Sequence, residues 1–134
     1  MSVALFNENY SVQQFITGIL SRELGVLMRI PSDAIIPREK LIGYLLVPQV
    51  KNDKSKFLAQ AGFTSDNLGV LEAAIRRILA ENDAVRDREN EYGIHYRVQG
   101  SLVGPNGELA VIAIWIWGAK EKQYRFITLK PDKE

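Results

Sequence analysis

The spacing of apolar residues changes once along this chain, near Asp83, from a repeat of 3.6 to a repeat of 2. A helix repeats its faces every 3.6 residues and a strand every 2, so helices are predicted before that point and strands after it. That order indicates an α+β domain, with N-terminal helices followed by a three- or four-stranded antiparallel meander.

Val12, Phe15, Ile16, Ile19, Leu20 and Leu24 mark one face of a first amphipathic helix, with Ser11 and Gln14 as a capping box and Gly25 as its stop. Residues 1–27 are therefore set apart as a helical extension, and residues 28–134 as a single α+β domain. Pro37 suits the first turn of a helix running to about Leu46. Asp53 is expected to cap a short helix over 54–61, ended by Gly62, with Phe63 folding back as its hydrophobic contact. Thr64 or Ser65 starts the longest helix, with Leu68, Leu71, Ala74, Ile75, Ile78 and Leu79 on one side and Asn82 as its stop.

Beyond Asp83, Ile94, Tyr96, Val98 and Leu102 alternate with His95, Arg97, Gln99 and Ser101, giving a strand with one buried and one polar face. Gly104-Pro105-Asn106-Gly107 is a turn. Residues 109–117 are apolar on both parities, as in a central strand covered on both sides. Residues 124–130 make the last strand, and 84–88 carry a weaker signal for a fourth.

At 134 residues, 46% of them hydrophobic and 25% charged, the chain has the composition of one soluble globular domain. No apolar run reaches the roughly 20 residues of a membrane span and no signal peptide is recognisable, so a cytoplasmic location is expected. The absence of cysteine excludes disulfides and thiolate chemistry, and a lone histidine argues against a zinc centre; neither metal nor cofactor is expected. Seventeen basic and sixteen acidic residues leave no overall field to attract a polyanion. The charge is uneven, however: residues 29–60 carry six basic against three acidic side chains.

No phosphate-loop, dinucleotide, zinc-protease or nucleophile-elbow motif occurs. His95, on the polar face of its strand, is a candidate general acid/base or else a solvent-facing histidine. Arg97 and Arg125 fall on neighbouring or near-neighbouring strands and could make a bidentate anion site, or pair with Asp87, Glu89 or Glu91. Lys51, Lys54 and Lys56 cluster at a helix start and could hold a phosphate or remain a solvated patch. Trp115 and Trp117 are read as core residues, with base stacking as the alternative.

The residues Lys54-Ser55-Lys56-Phe57, Gly62-Phe63, Tyr92-Gly93, Tyr96-x-Val98-x-Gly100, Gly104-Pro105-x-Gly107, Ile114-Trp115 and Arg125-Phe126-Ile127-Thr128 before Pro131 together resemble a bacterial domain of unknown function, number 6883. The similarity runs from about Met28 to Pro131. It carries no established activity. Separately, the order of helices and strands resembles the compact, metal-independent ribonuclease toxins of the barnase and colicin type. That likeness implies Lys56 and Arg125 against a phosphate, with Thr128 and His95 handling or orienting a proton.

Two functions are expected from this reading. One is a non-catalytic protein-interaction module, part of a toxin–antitoxin-like pair, with a protein partner or a second copy. The other is a ribonuclease-like domain acting on RNA, with Lys54, Lys56, Arg97 and Arg125 on the phosphates and His95 and Thr128 at the chemistry. Convergence separates them: an enzyme needs these side chains around a common point.

Overall fold

The computed structural model describes residues 28–50 and 53–133. The helix expected over 12–24 and Lys51 lie outside the described residues.

Four strands form one antiparallel sheet in the order β1-β2-β3-β4, with β1 at Ala84–Asn90, β2 at Gly93–Gly104, β3 at Gly107–Gly118 and β4 at Tyr124–Pro131. The weak signal over 84–88 is thus a full strand, broken by a bulge between Arg86 and Arg88. The other strands match the sequence reading closely. β2 and β3 pair without a slip from Gly93↔Gly118 to Gly104↔Gly107, so a two-residue turn of Pro105 and Asn106 joins them.

Before the sheet come three helical pieces. α1 is a single α turn, Arg38–Lys40, that widens into a π-helical turn over Leu41–Leu45, closed by the Leu46 N–H donating to the Leu41 carbonyl at 3.1 Å. α2 is Ser55–Ala59, shorter than expected, and Asp53 accepts both the Ser55 N–H (2.9 Å) and its hydroxyl (2.7 Å). Gly62 follows at φ 92°, where an L side chain is strained, and the Phe63 N–H reaches back to the Leu58 carbonyl. A 3₁₀ turn, Ser65–Asn67, capped reciprocally by Thr64 and Asn67, leads into α3, Leu68–Glu81. Asn82 ends it by donating to the Ile78 carbonyl.

The chain does not run simply from helices to sheet. Met28 bridges Ala84 on the outer edge of β1, and Ile35 bridges Arg125 on the outer edge of β4, both before the first helix. Seven residues reach at most about 25 Å. Five flat inter-strand steps already need roughly 24 Å, and the strap also moves along the strands and contains a turn closed by Ala34 N–H on the Pro31 carbonyl. The sheet must therefore curl so that its edges approach. Arg76 of α3 holds the strap by donating to the Ser32 and Ala34 carbonyls at 3.0 and 2.6 Å.

Register sorts the strand residues onto two faces. Tyr96, Val98, Trp115, Ala113, Phe126 and Leu129 share the inner face and join the core with Ile30 and Ile36 of the strap and Leu71, Ile75 and Ile78 of α3. Trp115 is fully buried and meets Phe126 edge-on at 5.3 Å between centroids. Trp117, half-buried, tilts onto Tyr124 at 4.8 Å and packs against the core. The outer face carries His95, Arg97, Ile112, Ile114, Ile116, Arg125 and Thr128. β3 is thus apolar on both sides.

Candidate functional site

Of the six residues singled out in the sequence, four share the outer face: His95 and Arg97 on β2, Arg125 and Thr128 on β4. Register sets them in two cross-strand rows. His95 faces Ile116, which faces Arg125; Arg97 faces Ile114, which faces Thr128. Each such pair is two strands, roughly 10 Å, apart at the backbone. The two guanidiniums are not absorbed by ion pairs. Glu89 pairs with Arg86, and among the described residues no carboxylate makes an ion pair with Arg97 or Arg125.

His95 departs from the solvent-facing reading. Its strand parity puts it on the polar side, yet only 6% of it is exposed and its Nδ1 has no hydrogen-bond partner. Burial disfavours the imidazolium and the Arg88 guanidinium opposes it further, so the pKa falls below the ordinary 6.5. The imidazole is thus neutral and largely covered, with one ring nitrogen unpartnered.

A tighter constellation forms at the β4 edge. Lys54, at the start of α2, extends over the sheet edge and donates to the Thr128 hydroxyl at 3.3 Å, across 74 residues of sequence. The Thr128 hydroxyl in turn donates to the Leu129 carbonyl at 3.3 Å. The same Lys54 ammonium lies 5.6 Å from the centre of the Tyr44 ring, and Lys40 lies 5.9 Å from that ring. Tyr44 sits in the π-helical turn, four residues after Lys40. Two ammoniums therefore lie near one aromatic ring, and among the described residues neither has an ion-pair partner.

Lys54 also walls a cleft of about 770 Å³, with Phe57 and Ile112 at its apolar side and Lys130, Asp53 and Asp132 at its rim; Lys40, Tyr44 and Thr128 lie outside that lining. Asp53 is committed: hydrogen bonds from Ser55 hold its carboxyl below the usual range. Lys56 is exposed on α2 and takes no part in the cleft; its charge helps to depress Asp53. Among the described residues no group of three or more histidines and carboxylates is placed to hold a metal.

Lys40 and Tyr44 escaped the sequence reading. Their spacing of four residues, a lysine and an aromatic on one helix face, was the available signal, and a π turn at that place reinforces it, since such turns concentrate at functional sites.

A family model, that of the domain of unknown function DUF6883, matches residues 29–133. No curated protein and no solved structure matches the chain.

Proposed function

This chain belongs to the DUF6883 domain family, and from that premise we propose that the cleft beside β4 binds the phosphodiester backbone of single-stranded RNA and promotes its cleavage. One observation carries the proposal: Lys54 and Lys40 lie 5.6 and 5.9 Å from the Tyr44 ring centre, with the Thr128 hydroxyl 3.3 Å from Lys54, and among the described residues neither ammonium makes an ion pair. Positive charges without ion pairs beside one aromatic ring attract an anion. A phosphate group is such an anion, and lysine binds it as a point charge.

In the proposed reaction the 2′-oxygen of the substrate bonds to phosphorus while the bond to the 5′-oxygen breaks, leaving a cyclic phosphate and a free 5′-hydroxyl. The nucleophile's proton passes to water, and the leaving oxygen takes one from water. The chain's contribution is electrostatic. Lys54 and Lys40 face the negative charge that grows on the phosphoryl oxygens, the kind of assistance whose loss costs about 10²–10³ in rate per donor. Thr128 fixes Lys54 in that position, and Tyr44 offers its ring to the ammoniums and its hydroxyl to the substrate. Residue His95 takes no part. Such an activity suits a cytoplasmic site of action and a toxin-like role.

The interaction-module reading draws instead on Arg97 and Arg125, which flank Ile114 and Ile116 on the outer face without ion pairs of their own. Incubating the protein with a labelled single-stranded RNA in chelator separates the two. Cleavage that Lys54→Ala abolishes supports the ribonuclease; intact RNA leaves the module.

A further inference from the structure

A second cleft, of about 640 Å³, opens between α1 with its π turn and the start of α3. Arg38 and Ile42 form one wall and residues 65–70 the other, with half-buried Leu68 packed on the core beneath. Two residues of helix turn through about 200°, so Arg38 and Ile42 lie on the other side of this piece from Lys40 and Tyr44. Ile42 and Val70, 44% and 43% exposed, are apolar side chains that the fold leaves in water. Beside them Gly43 and Gly69 add no bulk, since a Cβ at either would meet nothing within 4 Å. The rim carries one charge of each sign, Arg38 and Asp66, and among the described residues neither makes an ion pair.

We propose that this cleft docks a second copy of the chain, the two related by a two-fold axis so that Arg38 of each meets Asp66 of the other across Ile42 and Val70. Charge complementarity selects that occupant. A partner of one sign would satisfy one rim charge and oppose the other. A two-fold interface presents the same surface from both sides, so one cation and one anion on it are satisfied twice over. Between them, contact takes Ile42, Leu68 and Val70 out of water, which is favourable in proportion to the apolar area removed. A formal net charge of only +1 leaves little long-range repulsion between copies. The cleft and its rim make a small interface, so the dimer is a weak, exchanging one. The inference is independent of the RNA reading, since none of these residues lines the Lys54 cleft or is assigned to a phosphate.

Sedimentation equilibrium on the full chain, from micromolar to millimolar concentration, is expected to show the mass rising from one chain toward two. Ile42→Asp should weaken association about tenfold or more, as loss of an apolar anchor does. Arg38→Glu alone and Asp66→Arg alone each set like charges against one another and should also associate about tenfold more weakly. Mixed one to one, these two variants should recover the wild-type mass, because the acidic site of one then faces the basic site of the other at both contacts. A monomer at every concentration overturns the proposal. So does a dimer that Ile42→Asp or either single charge reversal leaves as tight as wild type, or a mixture that stays monomeric while both variants melt like wild type.

Discussion

The Lys54 ammonium rests 3.3 Å from the Thr128 hydroxyl, joining the start of a helix to the last strand across 74 residues. Thr128 passes the contact on to the Leu129 carbonyl at the free edge of β4. Removing the methyl-for-hydroxyl equivalence, Thr128→Val should leave stability within about 1 kcal/mol, the usual worth of one such bond. It should still lower RNA cleavage, because Lys54 loses its anchor. Thr128→Ser should restore it. Melting curves and initial rates on the three proteins check this, and equal rates for the valine and serine variants count against a positioning role.

Binding should weaken linearly with the logarithm of salt concentration, with a slope near −0.7 for each phosphate contacted on a single strand. Lys40→Ala and Lys54→Ala should each flatten that slope by about one such contact. Lys56→Ala should leave it unchanged, since Lys56 is exposed and is not among the residues that line the cleft. Titrations at three salt concentrations suffice.

For His95, burial predicts a pH signature in stability and none in catalysis. Its folded pKa lies below the unfolded 6.5, so above that pH both states are neutral and the residue contributes nothing. As pH falls below 6.5, the unfolded chain takes up a proton that the folded chain resists, and stability drops until the folded pKa is reached. His95→Gln should lose this part of the decline between neutral and mildly acid pH while cleaving RNA at the wild-type rate. A parallel pair of stability curves, or a dead variant, contradicts the assignment.

Arg76 and Arg77 sit side by side on α3, each with a carboxylate four residues away. Only Arg76 also holds the strap, at the Ser32 and Ala34 carbonyls. Arg76→Ala should cost about 2 kcal/mol, as charged hydrogen bonds do, against about 0.4 for Arg77→Ala, an exposed helix pair. Denaturant midpoints report the difference, and near-equal losses contradict a clamp.

The strands and α3 were legible in the sequence because a period of 2 or 3.6 is a local property, and one slip of register turns every side chain over. The reading of Trp115 as core held for the same reason. Parity, however, names a face and says nothing of what covers it, so His95 was placed on the polar side and its burial was missed. The strap was not legible, because Met28 and Ile35 each form a single bridge, too short to leave a pattern. Lys54 was identified as an anion-binding candidate from its local charge, but its partners Thr128 and Tyr44 come from β4 and a π turn, and no sequence spacing links them. Lys56 was grouped with it by proximity in sequence, which a helix turn separates in space.

The ribonuclease account stands most directly on one comparison: the rate at which full-length wild type and Lys54→Ala cleave a labelled single-stranded RNA in the presence of chelator, with melting temperatures measured on the same samples. It predicts cleavage by wild type and a loss of about 10²–10³ in the variant, at an unchanged melting temperature. Intact RNA with wild type, or equal rates for the two folded proteins, contradicts it.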